Sequence, residues 1–525
     1  MRIYTTITSF NSDVHTPVEL YMSLRNHYRK TCLLESNDYH SRSDSKSFIG
    51  FEPLVEIKLE HNKIIISGEI RNEMIDLNPN ESVAIQIQTV FDSFKFSENS
   101  PSYNGFFGRI GFEFSLLSES HIKKIDSSLG LPDVHFFLFK NIIVIDHFKD
   151  NGIILSNSKS DEKIDSVFIN SLLSKRPFTD LPFEIIGEEK SDFTDSEFKQ
   201  LVEKTQGHCL RGDVFQLVVS NAFSQEFFGD DFQVYRQLRR LNPSPYLFYF
   251  DFEEYRLFGS SPEAQLIISN GKAEIHPIAG TVPKTGESII NDERIQFLVN
   301  DEKENAEHTM LVDLARNDLS KNCSKVKVET YKEVQHFSHV IHLVSKVTGQ
   351  LNEVNPFPVL NSSFPAGTLS GTPKPKALEL ISKYERSTRD FYGGAIGIIG
   401  SNGDLNMAIV IRSVLSKNNI LHYRAGAGVV LDSNSESETQ EVHHKLRAVR
   451  TAISVANVGV IDTVGDGNGN GNGNGNGNGN GNGDGDGDGD GDVGIGHALS
   501  QHPQHPQHPH HPDIPNIPQQ FQSPK

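Results

Sequence analysis

Tryptophan is absent from this chain of 525 residues, and cysteine occurs only three times. Cys32, Cys209 and Cys323 lie far apart and form no C-x-x-C pair, so they read as reduced thiols of a cytosolic protein. No apolar run approaches the roughly 20 residues a bilayer-spanning helix needs. The opening MRIYTTITSFNSD shows neither an apolar signal core nor an arginine-rich amphipathic pattern, and a cytoplasmic location is expected. Positive charge is also short, with 49 Lys and Arg against 68 Asp and Glu and a formal net charge of −19. That balance excludes nucleic acid as a general partner. Any anionic substrate must therefore meet a locally positive pocket inside an acidic protein.

Hydrophobic residues are 36% of the chain, low for its length. Much of the deficit lies in the C-terminal part. From 465 to 492 glycine alternates with Asn and then Asp, a run with no side chain to bury and the most backbone entropy to lose. A histidine- and proline-rich stretch follows; its closely spaced histidines suit weak metal binding, and a solvated repeat is the plainer reading. Residues 462–525 are expected to be a disordered tail outside the fold.

Apolar–polar alternation predicts strands at 54–59, 63–70, 142–147, 246–251, 256–259, 264–269, 395–400 and 422–430. Helical spacing appears at 18–29, 81–96, 195–211, 292–317, 374–384 and 437–457. Turns such as Ser269-Asn270-Gly271-Lys272 and Ser401-Asn402-Gly403-Asp404 favour antiparallel pairing. Helices cluster between strand groups without βαβ alternation, which gives an α+β class. Residues 155–195 are polar and read as a linker between an N-terminal part, 1–154, and a C-terminal part, 196–461.

Two acidic pairs are candidates for chemistry. Glu304 and Glu307 are three apart in one helical segment, and Glu438 and Glu441 in another, so each pair shares a helix face. Four converging carboxylates would repel one another without a cation, and Mg²⁺ relieves that while keeping positions open for substrate oxygens. Solvated helix faces explain the spacing equally well. Glu441-x-x-His444 also fits half of a di-iron pattern, but Glu307 stands where the second histidine would be. Glycine-rich turns form a second feature: Pro277–Thr281, Phe364–Lys374 and Ala425–Gly428. Each admits a close ligand or is an ordinary tight turn. Arg412 ends the apolar run Ala408–Ile411, where a buried guanidinium calls for a carboxylate that no other segment obviously supplies.

Together these segments resemble the chorismate-utilising enzymes, and most closely anthranilate synthase component I. The matching stretches include Leu33–Ser36 (LLES), Asp213–Gln216, Asn242–Tyr246 (NPSPY), Gly259–Glu263, the PIAGT turn and the run Lys303–Asp318. They continue with His339–Val344, GTLSGTPK, Tyr392–Ala395, Ile411–Ser413 and AGAGVV, so the resemblance spans roughly residues 1–457. It implies two facing antiparallel β-sheets with helices packed outside, a regulatory N-terminal part and a catalytic C-terminal part. The implied ligands of Mg²⁺ are Glu307 and Glu441, with Glu304 and Glu438 close by. The implied substrate contacts are Gly280, Thr281, Thr368, Tyr392, Arg412, the Gly426–Ala427–Gly428 backbone and Lys445. Glu263 is the implied general acid for a departing hydroxyl, and His342 promotes loss of pyruvate; a satisfied core histidine is the structural alternative.

Within the resemblance, Gln216 replaces the lysine that activates water in isochorismate synthases, and Ala279 replaces the lysine that diverts nitrogen in aminodeoxychorismate synthases. Ammonia attack at C2 is thereby expected, giving anthranilate. Leu34, Glu35, Ser36, Lys46, Pro245, Tyr246 and Leu247 resemble a tryptophan feedback site. Asn221-Ala222 departs from the family, which commonly carries arginine after the serine at 220. No cysteine has glutaminase surroundings, so a separate glutamine amidotransferase subunit is the expected partner, in an αβ or α₂β₂ assembly. Aminodeoxychorismate synthase and a non-catalytic tryptophan-binding subunit are the competing readings.

Overall fold

Runs of Ile, Val, Leu and Phe broken by glycine and Asn/Asp turns give this protein a core built of strands, several of them buried on both faces. A computed structural model describes residues 1–36, 45–118, 122, 127–160, 181–285, 288–336 and 340–457. Contacts group Met1–Thr463 as one compact unit; the tail expected from 462 lies outside the described residues. The order begins β1 (Arg2–Asn11), α1 (Pro17–Arg25), β2 (Thr31–Glu35), β3 (Lys46–Glu60), β4 (Lys63–Gly68), β5 (Glu73–Asp76), α2 (Val83–Asp92), β6 (Lys95–Phe96), β7 (Gly105–Ile110), β8 (Val134–Asp146) and β9 (Asn151–Ser158). Next come β10 (Phe183–Ser191), α3 (Asp195–Leu210), β11 (Gln216–Gly229), α4 (Phe232–Leu241), β12 (Tyr246–Asp251), β13 (Arg256–Ser261), β14 (Ala264–Ser269), β15 (Lys272–Ile275) and β16 (Ile278–Pro283). The order closes with α5 (Ser288–Asn300), α6 (Glu302–Ser320), β17 (Cys323–His336), β18 (Val340–Leu351), α7 (Pro356–Ser363), α8 (Gly367–Ser370), β19 (Gly371–Thr372), α9 (Lys374–Tyr384), β20 (Ala395–Gly400), β21 (Leu405–Ile409), β22 (Ser413–Lys417), β23 (Ile420–Val429) and α10 (Ser435–Ala456).

Pairing is antiparallel except for the two-residue β1–β6 contact. One sheet runs β1-β9-β8-β3-β2-β12-β13-β22-β23-β11-β10. The other runs β5-β4-β3-β8-β7-β20-β21-β14-β15-β18-β17, with β16 continuing β15 along β18. The two share β3 and β8. The early residues of β3, 46–50, belong to the first sheet and the late ones, 55–59, to the second, with a register shift between Pro53 and Val55. Glu52 has φ 59° there, a local bend that turns one sheet into the next.

Three apolar clusters give the layers. One joins the first sheet to α1, α3, α4, α9 and α10. A second joins the other sheet to α2, α6 and α7. The third draws residues of both sheets, among them Phe107, Phe139, Phe248, Phe250, Ala408 and Leu415, and fills the space between them. Strand period sets this: Phe248 and Phe250 of β12 enter the inter-sheet cluster while Tyr249 between them packs with the helices. The expected α+β architecture of two sheets with outer helices is observed.

Several boundaries differ from expectation. The single helix expected over 292–317 is two, because Asp301 adopts an extended backbone and its carboxylate accepts from the Glu304 N–H at 2.8 Å. The helices expected to reach 29 and 96 stop at Arg25 and Asp92. The polar stretch 155–195 carries the end of β9 and all of β10, which pairs with β11; its residues 161–180 lie outside the described ones. No described helix is long and apolar enough to cross a membrane.

Candidate active site

The sheets meet at a second corner, where β13 passes to β14 through Pro262-Glu263 and β21 passes to β22 through Val410-Ile411-Arg412. The two crossings are laced together: the Ser260 N–H donates to the Arg412 carbonyl at 3.1 Å and the Ile409 N–H to the Glu263 carbonyl at 3.0 Å. Arg412 holds φ 49°, a left-handed conformation uncommon outside glycine. Burial pushes its guanidinium below the ordinary arginine value, and Glu263 is the charge that faces it. Among the described residues the Arg412 side chain makes no hydrogen bond or ion pair. A guanidinium withdrawn from water without a protein partner is a receptor for an anion.

Burial raises the Glu263 carboxyl to about 7, while the Thr368 hydroxyl, Lys445 and Arg412 pull the other way. Thr368 Oγ1 donates to Glu263 Oε1 at 3.1 Å from the first turn of α8. Close by, a cavity is walled by Glu263, Gly367 and Thr368 on one side and by Leu311, Leu314 and Ala315 of α6 on the other. His342, on β18, is buried and held well below the ordinary histidine range, at about 4, because burial disfavours its charge. Its Nδ1 bonds the Gly280 carbonyl at 3.2 Å. Gly280 has φ 78°, and a Cβ there would sit 2.7 Å from Leu298 and 3.4 Å from the Glu304 carboxylate. The turn thus needs glycine for its backbone and for the room it leaves beside Glu304. The side chains of Ala279 and Thr281 lie outside the described residues.

The second wall is the end of β23. Gln216, opening β11, donates from Nε2 to Glu307 Oε1 at 2.8 Å, and its amide lies against Gly428, where a Cβ would come within 2.8 Å of Nε2. Gln216 Oε1 is buried without a hydrogen-bond partner. From α10, Lys445 Nζ donates to the Gly426 carbonyl at 2.8 Å and pairs with Glu441 at 2.7 Å. Burial lowers the Lys445 pKa, but Glu441 and Tyr392 more than offset it, so the ammonium persists above its ordinary value. Burial keeps the Tyr392 phenol protonated. Glu307 and Glu441, from helices far apart in sequence, are therefore both tied to the Gly426–Gly428 segment. Glu438, one turn before Glu441, is buried.

Among the described residues no three His, Cys, Asp or Glu side chains form a ready metal cage. Magnesium needs only one or two protein carboxylates and keeps its other positions for water or substrate. Glu307 and Glu441 offer hard oxygen donors beside Gly426–Gly428, so the residues present fit such an ion.

The residues expected for amino-acid feedback also come together. β2 lies between β3 and β12, with Leu34 opposite Phe48 and Phe248, and Glu35 opposite Ser47 and Leu247. Lys46 and Tyr246 stand at the adjoining strand ends. Glu35, however, is already engaged: Arg239 of α4 grips both its oxygens at 2.8 Å and the Tyr235 hydroxyl donates at 2.8 Å.

Sequence reasoning missed a buried charge cluster behind these walls. Glu385, Arg389 and Arg424 are almost fully buried and paired to one another. Glu385 and Arg389 sit four apart beyond the α9 pattern, a spacing that is a visible but common signal. Arg424 stands opposite Ala222 in register and reaches Ser220 Oγ at 3.2 Å. Arg424 thus places a guanidinium beside Ser220 from the neighbouring strand.

The chorismate binding enzyme family model matches residues 29–451. The chain is 33% identical over 479 residues to anthranilate synthase component 1 of Bacillus subtilis, covering 86% of this chain and 92% of that one. It is 36% identical over 473 residues to the protein of that description from Neisseria gonorrhoeae, covering 86% and 94%. Among solved structures, anthranilate synthase component I from Streptococcus pneumoniae TIGR4 superposes with a TM-score of 0.69 at 32% identity, over 84% of this chain and 98% of that one. The menaquinone-specific isochorismate synthase MenF from Escherichia coli shares the fold, with a TM-score of 0.67 at 18% identity over 86% and 94%.

Proposed function

The chain belongs to the family of chorismate binding enzymes, and from that premise we propose that it is an anthranilate synthase component I. It converts chorismate and ammonia to anthranilate, pyruvate and water, the entry step to tryptophan. The observation that carries this reading is the corner where Glu263, a carboxyl raised to about 7, faces the half-buried Arg412, whose guanidinium makes no hydrogen bond or ion pair among the described residues.

Chorismate carries two carboxylates in an acidic protein, so local cations must receive them. Arg412 and Lys445 are those cations, and Tyr392 and the Gly426–Gly428 backbone shape the same wall. Glu307 and Glu441 would hold Mg²⁺, which when bound supplies Lewis-acid polarisation of the ring carboxylate. Glu263 gives its proton to the C4 hydroxyl, which leaves as water while ammonia adds at C2. Thr368 aims that carboxyl by bonding its other oxygen. His342 is neutral at physiological pH because of its burial, so it can accept the proton released as the ring becomes aromatic and pyruvate departs. Gln216 is a neutral amide and cannot deprotonate water, which favours ammonia over hydroxylation at C2.

Ammonia comes from a separate glutamine amidotransferase subunit, and tryptophan acts through the ends of the paired strands β2 and β12 as a feedback inhibitor. The Arg239 grip on Glu35 leaves Ser36, Lys46 and the Pro245–Leu247 backbone to receive the amino acid. The test is incubation of the purified chain with chorismate, Mg²⁺ and ammonium at pH 8. Fluorescent anthranilate should form, glutamine should not replace ammonium, and EDTA should stop turnover without unfolding the protein. A hydroxylated product, a stable 4-amino intermediate or untouched chorismate would each sink the reading.

A further inference from the structure

We propose that Arg389 is a positioning residue for the reaction: one buried guanidinium that fixes, relative to one another, the three segments bearing Thr368, Gln216 and Tyr392. The inference rests on the chorismate-amination reading above.

Arg389 sits outside the substrate walls, in the loop between α9 and β20, with its side chain 1% exposed. Nη1 donates to the Leu369 carbonyl, in the short helix α8 whose first turn carries Thr368. Nη2 donates to the Val218 carbonyl at 2.9 Å, two residues along β11 from Gln216. Its own carbonyl accepts the Tyr392 N–H at 2.9 Å, and its guanidinium lies over the Tyr392 ring at 5.8 Å and the Phe112 ring at 4.5 Å. Leu369 packs in turn beside Gly393, next to Tyr392. Each tethered segment thus ends on a different functional group: Thr368 on Glu263, Gln216 on Glu307, and Tyr392 beside Lys445.

The charge itself is balanced behind the site. Glu385 meets Arg389 through both oxygens at 2.6 and 2.9 Å and accepts from the Ser220 N–H and hydroxyl at 2.9 and 2.8 Å. Arg424 adds a bond to Glu385 at 2.9 Å and donates to the Thr388 carbonyl at 3.1 Å. The Arg389 N–H donates to Glu113 at 2.8 Å. A buried ion pair of this kind contributes little net stability against an apolar equivalent, since desolvation offsets attraction. A rigid planar fork bonding carbonyls on two segments gives geometric definition that a flexible ammonium cannot. Besides the Glu385 carboxylate, the guanidinium donates to two main-chain carbonyls, those of Leu369 and Val218, and through these the tether fixes backbone position.

Arg389→Lys tests this. Lysine keeps the charge opposite Glu385 but cannot reach both carbonyls. The expected result is a folded protein with a cooperative unfolding transition, kcat for anthranilate down 10-fold or more, and a chorismate KM raised by no more than a few-fold. A second readout is the pH profile. If α8 loosens, Thr368 no longer holds Glu263, and because that bond lowers the carboxyl's pKa, the limb assigned to Glu263 should move to higher pH. It should move the same way in Thr368→Val. Lys445 and Arg412 face Glu263 as well, and neither is tethered by Arg389, so their influence is common to all variants. Arg25→Lys is the control for buried-arginine loss, because Arg25 pairs with Asp230 between α1 and α4, away from the site. If Arg25→Lys lowers kcat as much at a matched loss of stability, or if Arg389→Lys leaves kcat and the pH limb unchanged, the positioning role is wrong. Absence of anthranilate from the unaltered chain would overturn the function itself, and this inference with it.

Discussion

Replacing Glu263 with glutamine should change stability and catalysis in opposite senses, and both should depend on pH. The carboxyl moves from an ordinary 4.5 to about 7 on folding, chiefly through burial. Between these values the folded protein holds a proton that the unfolded chain has released. Protonated Glu263 therefore costs nothing below about pH 4.5, and the penalty of ionising it in place grows as pH rises and is complete above about 7. A shift of that size corresponds to about 3 kcal/mol of destabilisation at alkaline pH. Glu263→Gln removes the ionisation and so should be more stable relative to wild type at pH 8.5 than at pH 5, by up to about 3 kcal/mol. Urea unfolding of the two proteins in chelator-containing buffer at both pH values measures this, and the difference between proteins cancels other titrating groups, among them buried Glu113. The same variant should lose about 10²- to 10⁴-fold in kcat, the ordinary worth of a positioned proton donor. In wild type kcat should fall as pH rises through about 7 on this group's account. An equal stability difference at both pH values would show that Glu263 is not held protonated, and the acid role would fall with it.

Arg412→Met should raise the chorismate KM about 10- to 100-fold, from about 1.5–3 kcal/mol for lost charge-assisted hydrogen bonds. Its unfolding midpoint should hold or rise, since the guanidinium has no protein partner to lose; a large drop in stability with unchanged KM would make Arg412 structural. Gly428→Ala places a Cβ within 2.8 Å of Gln216 Nε2 and should push that amide off Glu307. An expected fall of about 10-fold or more in kcat/KM, a loss of roughly 1.4 kcal/mol in transition-state binding, would be contradicted by full activity in steady-state assay.

Much of this site was legible because its parts are tied to backbone features that leave marks in sequence. The glycines at 280 and 428 stand where a Cβ collides, and the i, i+3 glutamates announce shared helix faces. The strands most easily read, such as β12 and β20, are those whose alternating residues enter two different apolar layers. β17 escaped notice because it is a polar strand with mostly exposed residues, so alternation has no contrast to display. The break at Asp301 escaped for another reason: helical apolar spacing continues through it, and only the capping bond to Glu304 reveals two helices. Glu35 looked open to a ligand because nothing near it in sequence pairs with it; its partner Arg239 is 204 residues away on α4.

The least legible feature is the corner itself. Neither Glu263 nor Arg412 belongs to a periodic element: Arg412 stands out in sequence only as a charge ending an apolar run, and Glu263 only through the family resemblance. Their meaning comes from two chain crossings that pass between the same pair of sheets and bond each other's backbone. Such a crossing leaves the strand ladder, so its side chains are not committed to either sheet's packing. Desolvation there raises the acid and lowers the guanidinium, and the charges that face them offset it only in part. A dianion entering between the sheets would give Arg412 a carboxylate to bond, and in doing so would place its leaving group against the Glu263 carboxyl, whose raised pKa suits it to give up a proton. The fold thus sets binding and proton donation at a single point, which is why the two substitutions at 263 and 412 should separate cleanly into kcat and KM.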